Sequence, residues 1–248
     1  MKQYNKKYGQ VFLNDRNIAQ YEVSLLDPSN NVLEIGPGDG ALTELLLEIF
    51  PQVTVVESDH RFVEILNAKF FDLVQQGRLL IIHGNFLECE LPEFEQIIGN
   101  IPYHISSPIL GRIAEMNFKK AIIMVQKEFA QSLIAKPSTP NYTKLTVFSN
   151  LNFHIKLIKA VSRNSFSPVP KVDSAILELV KRENIIKIPR EYTNNTLAKL
   201  FSQKRKKIKN ILQDAPQNRL DLRVDQLTPE EIMDMVETIY TNNLEADI

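Results

Sequence analysis

Residues 32–43, Val-Leu-Glu-Ile-Gly-Pro-Gly-Asp-Gly-Ala-Leu-Thr, decide how this chain folds. A short apolar run ends in a glycine-rich turn, and the turn opens a helical pattern carried by Leu42, Leu45, Leu46, Leu47 and Ile49. A strand, a tight turn and a helix in that order begin a parallel β-α-β unit. Gly36 and Gly38 allow backbone to approach a ligand closely. A second strand, Val53-Thr-Val-Val-Glu-Ser-Asp59, follows and ends in Glu57, where a carboxylate can accept hydrogen bonds from two ribose hydroxyls. By spacing, Gly36, Gly38 and Ala41 also satisfy the G-x-G-x-x-G/A pattern of dinucleotide-binding folds. The glycines alone therefore leave the ligand open.

Residues 99–108, Gly-Asn-Ile-Pro-Tyr-His-Ile-Ser-Ser-Pro, narrow the choice. They set an amide, a rigid turn and an aromatic ring at the end of an apolar strand. That set suits methylation of an amino group on a flat base. The 6-amino lone pair of adenine is delocalised into the ring, so the planar amine is a poor nucleophile. Acceptors on its hydrogens, the Asn100 side-chain oxygen and the Ile101 carbonyl, would draw the nitrogen toward a tetrahedral form aimed at a methyl group. Pro102 would fix the turn, and Tyr103 would stack an extruded base, worth about 1–3 kcal/mol. An ordinary strand-to-loop turn can carry the same residues. Hydride transfer has no use for this block, so the packed Gly-Pro-Gly-Asp-Gly reads better as an S-adenosylmethionine loop.

With these blocks in place, the chain resembles the KsgA-type rRNA adenine dimethyltransferases over nearly its whole length. Tyr8-Gly-Gln-Val-Phe-Leu is similar to the family's N-terminal block over the cofactor, Val32–Thr43 to its first methyltransferase motif, and Glu57 to its ribose-binding acid. Residues 99–108 are similar to its catalytic block, and Met124-Val-Gln-Lys-Glu-Phe-Ala to the strand and helix that follow. Phe166-Ser-Pro-Val-Pro-Lys-Val-Asp-Ser-Ala is similar to its target loop, and Phe201-Ser-Gln-Lys-Arg-Lys-Lys to its C-terminal basic block. The resemblance implies a Rossmann-like class I methyltransferase sheet of the α/β class with a small C-terminal helical domain. It implies S-adenosyl-L-methionine held by Val11, Leu13, Gly36, Gly38, Glu57, Asn85 and Asn100. It also implies Phe166 opposite Tyr103 around a flipped adenine, although an aromatic before Ser-Pro-Val-Pro can equally anchor a loop to the core. Two positions depart from the family pattern. Asn85 stands where an Asp normally contacts the cofactor's adenine amine; its amide oxygen still accepts a hydrogen bond, without charge, so weaker cofactor binding is expected. At Val11 only backbone contacts carry over.

A chain of 248 residues, 44% hydrophobic, can bury one large core and add a smaller domain. No apolar run is long enough to span a bilayer and the start lacks a signal-peptide pattern, so a cytoplasmic protein with no membrane association is expected. Cys89 is the single cysteine, which excludes an internal disulfide, and the four histidines show no zinc-site spacing; no metal is expected.

Strands are expected near 32–36, 53–57, 79–83, 96–99, 121–126, 153–160 and 175–181, with helices at 39–50, 60–75 and 106–116. This alternation predicts a mostly parallel sheet between helices. The strands stop beyond residue 183, and the expected division is a methyltransferase domain, 1–184, and a helical RNA-docking domain, 185–248. Thr228-Pro-Glu-Glu has the chemistry of a helix start. With a formal net charge of −1, RNA affinity has to come from patches. Candidates are Lys204, Arg205, Lys206 and Lys207 within an expected helical run from Lys199 to Lys209, the arm of Lys2, Lys6, Lys7 and Arg16, and Lys171 beside the target loop. The expected partner is small-subunit ribosomal RNA in a pre-ribosomal particle, met by a monomer. Two alternatives stay open: a large-subunit rRNA methyltransferase of the macrolide-resistance type, and a non-catalytic assembly factor with the same fold.

Overall fold

The computed structural model describes residues 11–183, 187–212 and 214–246. Lys2, Lys6, Lys7 and the Tyr8-Gly-Gln part of the first family block lie outside the described residues. So do residues 184–186 of the expected domain boundary.

In chain order the elements are β1 (Phe12–Leu13), α1 (Arg16–Ser24), β2 (Asn31–Ile35), α2 (Ala41–Ile49), β3 (Gln52–Glu57), α3 (His60–Lys69), α4 (Phe71–Gln75), β4 (Leu79–His83) and β5 (Gln96–Asn100). They continue with α5 (Ser106–Glu115), β6 (Lys120–Gln126), α6 (Lys127–Leu133), α7 (Lys144–Asn152), β7 (Phe153–Val161), β8 (Phe166–Ser167), β9 (Ser174–Lys181), α8 (Arg190–Ser202) and α9 (Pro229–Ala246). Each expected strand is present, and the expected helix over 60–75 is broken at Phe70 into α3 and α4.

Seven strands form one sheet in the order β4-β3-β2-β5-β6-β9-β7, with β1 and β8 paired separately. From β4 to β6 every pairing is parallel, and β9 runs antiparallel to β6. Val32, Leu33, Ile97, Ile98, Ala121 and Ile122 are fully buried, as strands covered on both faces require. The chain leaves β2 for β3 and β4 on one side and returns to β5 and β6 on the other. The crevice beyond the carboxyl ends of β2 and β5 is thus the topological switch point, where ligands bind in such sheets. Helix α1 is capped by Asp15, whose carboxylate accepts from the Asn17 and Ile18 amides at 3.0 and 3.3 Å. It packs Ile18, Ala19 and Val23 inward, and with them Glu22.

The contacts group the chain differently from a cut at 184/185. Gln131–Ile155 joins Arg182–Ile248, leaving the residues up to Ala130 and Lys156–Lys181 as the other unit. Packing explains the difference: Tyr142, Val147 and Leu151 share a buried cluster with Leu197, Leu200, Ile232 and Val236, and the Tyr142 hydroxyl donates to the Leu227 carbonyl at 2.8 Å. Helix α9 begins as expected, with a reciprocal cap between Thr228 and Glu231. The basic run departs from expectation. Helix α8 ends at Ser202, and residues after Gln203 turn away because Ile208 is fully buried and its amide, with that of Lys209, bonds to the carbonyls of Leu222 and Leu220. Lys204 through Lys209 therefore lie on turns and a short 3-10 segment, not on a helix.

Candidate active site

At the switch point of the first unit lies a cavity of about 1310 Å³, its open mouth included. The glycine turn after β2 forms one wall. Gly36 has φ +68°, and its missing Cβ would stand in open space; its amide donates to the Val56 carbonyl at 3.0 Å, tying the turn to β3. Gly38 has φ +56°, and a Cβ there would meet the Phe12 ring at 2.9 Å. Phe12 from β1 thus lies directly over the turn, its ring 5.2 Å from that of Phe62. Val11 and Leu13 line the same cavity.

Glu57 closes β3 at 6% exposure. One carboxylate oxygen accepts from the Gly38 amide at 3.1 Å, the other from the Asp59 amide at 2.8 Å. These bonds fix the carboxylate and leave further lone pairs facing the cavity. Burial raises its pKa, and the amide donors oppose the rise. Asn85 also lines the cavity, but it is partly committed: its Oδ1 accepts from the Leu87 amide at 3.1 Å and its Nδ2 donates to Glu88 at 3.0 Å. The second lone pair of that oxygen is what remains for a ligand amine.

The opposite wall is the end of β5. Asn100 pairs in register with Met124, and the Ile101 amide donates to the Met124 carbonyl at 2.9 Å, which carries the strand geometry into the Asn-Ile-Pro-Tyr turn. The Asn100 side-chain oxygen is buried without a hydrogen-bond partner. Among the described residues, no donor is bonded to the Ile101 carbonyl. Two acceptors of the kind an amino group needs thus belong to consecutive residues, and both residues line the cavity. Pro102 holds φ −57°, and Tyr103 is anchored by a 2.8 Å hydrogen bond between its hydroxyl and Ser174 Oγ. Phe166 lines the cavity yet is only 5% exposed and belongs to the hydrophobic core, so the two readings of this ring are not exclusive. Its strand pairs Phe166 with Leu13 and Ser167 with Phe12, which joins the N-terminal block to the target loop.

Lys171 is exposed, near the end of the same loop. Lys204, Arg205, Lys206 and Lys207 belong to the second unit and do not line the cavity. Their environments differ. Lys204 donates to the Pro140 and Tyr142 carbonyls, and Lys207 pairs with Asp221 at 3.0 Å, as does Lys209 at 2.7 Å. The two lysines hold the Asp221 carboxyl down at about 2. Arg205 and Lys206 are exposed. Arg16, the described member of the N-terminal arm, stands 3.7 Å from Glu44. Among the described residues no group of three or more potential ligands could hold a metal ion.

Sequence reasoning passed over Ser174, Phe12 and the buried glutamates. Ser174 lies within the target-loop block, but nothing in the sequence marks it as the partner of Tyr103. Glu22 does, because it interrupts an apolar helix face between Ile18 and Val23. Glu34, on β2, is 1% exposed and accepts from Thr43 Oγ1 at 2.6 Å. Burial pushes both carboxyls up to about 8; the Asn100 amide opposes the shift at Glu22 and the Thr43 hydroxyl at Glu34, while neighbouring carboxylates add to both. Between about pH 4.5 and 8 the folded chain therefore holds protons that the unfolded chain has released. The stability tied to these groups is complete below 4.5, declines as pH rises, and is gone above 8. Urea unfolding at pH 6, 7 and 8 is expected to show this decline, and Glu22→Gln to lessen it. An unchanged slope in the variant would show that Glu22 is not buried as a neutral acid.

The residues around the cavity fit S-adenosylmethionine: a fixed carboxylate for ribose hydroxyls, a glycine turn without side chains on the ligand face, and apolar cover from Phe12 and Leu13. Comparison with known proteins agrees. A family model described as ribosomal RNA adenine dimethylase matches residues 1–242. Relatives named "Probable ribosomal RNA small subunit methyltransferase A" include that of Pyrococcus furiosus, 34% identical over 93% of this chain and 90% of its own. That of Methanosarcina barkeri is 34% identical over 98% of this chain and 94% of its own. Among solved structures, a dimethyladenosine transferase from Plasmodium falciparum has a TM-score of 0.83 at 25% identity, covering 93% of this chain and 98% of that one. The 23S rRNA methyltransferase ErmE has a TM-score of 0.70 at 29% identity, covering 92% and 99%. With its class I methyltransferase sheet and this site, the chain belongs to the ribosomal RNA adenine dimethylase family of S-adenosylmethionine-dependent enzymes.

Proposed function

We propose that this chain dimethylates the 6-amino group of adenosine in a small-subunit rRNA loop, and that Asn100, Ile101, Pro102, Tyr103 and Phe166 form the acceptor side of the site. The observation that carries the reading is the pair of unengaged acceptors, Asn100 Oδ1 and the Ile101 carbonyl, at the end of β5. S-adenosylmethionine supplies an electrophilic methyl on a sulfonium; Glu57, Gly36, Gly38, Leu13 and the backbone at Val11 would hold it, with Asn85 at its adenine end. In the first transfer Asn100 and Ile101 would take the two amine hydrogens, and in the second the one that remains; this turns the nitrogen lone pair toward the methyl, whose bond to the sulfonium sulfur breaks as the N–C bond forms. Tyr103, its hydroxyl tied to Ser174, offers a ring of fixed orientation for stacking the extruded base, with Phe166 closing the other side. The alkylated amine is acidic and loses its proton to solvent, so no side chain has to act as a strong base.

The small-subunit relatives support that subunit as substrate; a partly assembled particle as the form met, the cytoplasm as the place and a monomer as the acting species are part of the same proposal. The likeness to ErmE makes the large subunit the second reading. Methyl transfer from labelled S-adenosylmethionine to immature small subunits and, separately, to large-subunit rRNA decides between them. Incorporation of two methyls per adenine in the small subunit alone is expected; incorporation in the large subunit alone overturns the assignment.

In the docking role of the second unit, Arg205 and Lys206 are the cations of the basic run best placed for phosphate, since Lys204 and Lys207 have partners within the chain. Removing both with Ala is expected to lower the log–log salt slope of particle binding by about 1.4–1.8, at about 0.7–0.9 per phosphate contact. Parallel salt titrations of equal affinity would make the run a solvated surface.

A further inference from the structure

Glu22 is fully buried on α1, and neither of its carboxyl oxygens closes a regular hydrogen bond. Two polar side chains act on it, the Asn100 amide and Glu34. Glu34 is already held by Thr43, and the rest of the buried face of α1 is apolar. A carboxyl in such a place costs stability that a leucine would not. The residue it faces is the one whose side-chain oxygen is itself buried and unengaged.

An asparagine amide has two orientations, and they are opposite for this chemistry. With Oδ1 toward the substrate it accepts an amine hydrogen; flipped, it presents N–H to N–H and repels the same amine. Something on the protein side has to distinguish them. We propose that Glu22 is a positioning residue for methyl transfer, its neutral carboxyl accepting from Asn100 Nδ2 in the loaded site and so holding Oδ1 toward the acceptor amine. The carbonyl oxygen of the neutral acid takes the amide N–H, its O–H turns to Glu34, the other polar side chain that acts on it, and the amide oxygen is left for substrate. Burial of the carboxyl, which keeps it protonated near neutral pH, suits this role. A charged carboxylate would demand donors that the apolar face cannot provide. This inference rests on the assignment of Asn100 proposed above and extends it to the residue behind.

The test compares Glu22→Leu, Glu22→Gln and Asn100→Ala in the full-length chain, on unmethylated small ribosomal subunits. Each is measured for kcat, KM, S-adenosylmethionine affinity and melting temperature. Glu22→Leu is expected to melt at or above the wild-type temperature, to keep cofactor affinity, and to lose about tenfold in kcat, the worth of one neutral hydrogen bond. Glu22→Gln presents the same carbonyl oxygen and is expected to restore most of that loss. Glu22→Met, matching Glu in length, repeats the apolar test if Leu packs badly. Wild-type kcat in the apolar variants, or equal losses for Gln and Leu, overturns the positioning role. A rate within threefold of wild type in Asn100→Ala would instead remove the catalytic reading of Asn100 itself, an outcome the Glu22 variants cannot mimic.

Discussion

Replacing Asn100 with Ala is expected to slow methyl transfer by about 10²–10³ while leaving S-adenosylmethionine binding largely intact. The magnitude is that of removing one preorganised polar group aimed at a reacting centre. The direction follows from what the oxygen lacks. Asn100 Oδ1 is buried and unpartnered in the chain, so its desolvation is a standing cost that only a donor arriving in the cavity relieves. The amine supplies that donor, and its bond strengthens as the nitrogen leaves planarity, which concentrates the effect in kcat. Asn100→Ala is not expected to unfold the chain, because removing an unsatisfied buried oxygen also removes a penalty. Asn100→Asp is the informative companion, since it keeps an acceptor but adds a charge beside Glu22 and Glu34. Single-turnover transfer rates at saturating cofactor are the measurement. A rate within threefold of wild type for the Ala variant would transfer the acceptor role to the Ile101 carbonyl alone.

The methyltransferase sheet was legible because each signal is local. The Gly-Pro-Gly-Asp-Gly turn needs positive φ at Gly36, Gly38 and Gly40, and a buried parallel strand has to be a continuous apolar run, as Val32, Leu33 and Ile35 are. The position of Asn100 at the end of a strand was legible for the same reason, since strand, amide and proline are consecutive. What escaped was set by partners distant in sequence. Residues 131–155 have an apolar pattern that serves equally well against either core, and only Tyr142, Val147 and Leu151 meeting Leu197 and Val236 assign them to the second unit. The basic run reads as a helix until the burial of Ile208 and the ladder to Leu220 and Leu222 are known. Its charge was overcounted too, because Asp221, remote in sequence, takes up Lys207 and Lys209.

At the cofactor wall, Glu57→Ala is expected to raise the dissociation constant for S-adenosylmethionine by about a hundredfold or more. Two hydroxyls of a ribose would lose a charged acceptor, at roughly 1.5–3 kcal/mol per bond, and each 1.4 kcal/mol is about tenfold in affinity. The geometry adds a second contribution. Glu57 uses one oxygen to hold the Gly38 amide and the other to hold that of Asp59, so the carboxylate also shapes the turn on which the cofactor rests. Gln cannot substitute for it: whichever way its amide lies, nitrogen faces one of those two N–H groups, donor against donor. Glu57→Gln is therefore expected to weaken binding as well, where a residue acting through shape alone would tolerate it. The turn's other supports, the Gly36 amide on Val56 and Phe12 over Gly38, are untouched by either change. Calorimetric titration of the wild type and both variants decides the matter. Unchanged affinity in Glu57→Ala would place the ribose elsewhere in the cavity and leave Asp39 or Ser58, which also line it, as the acids or hydroxyls to be tried next.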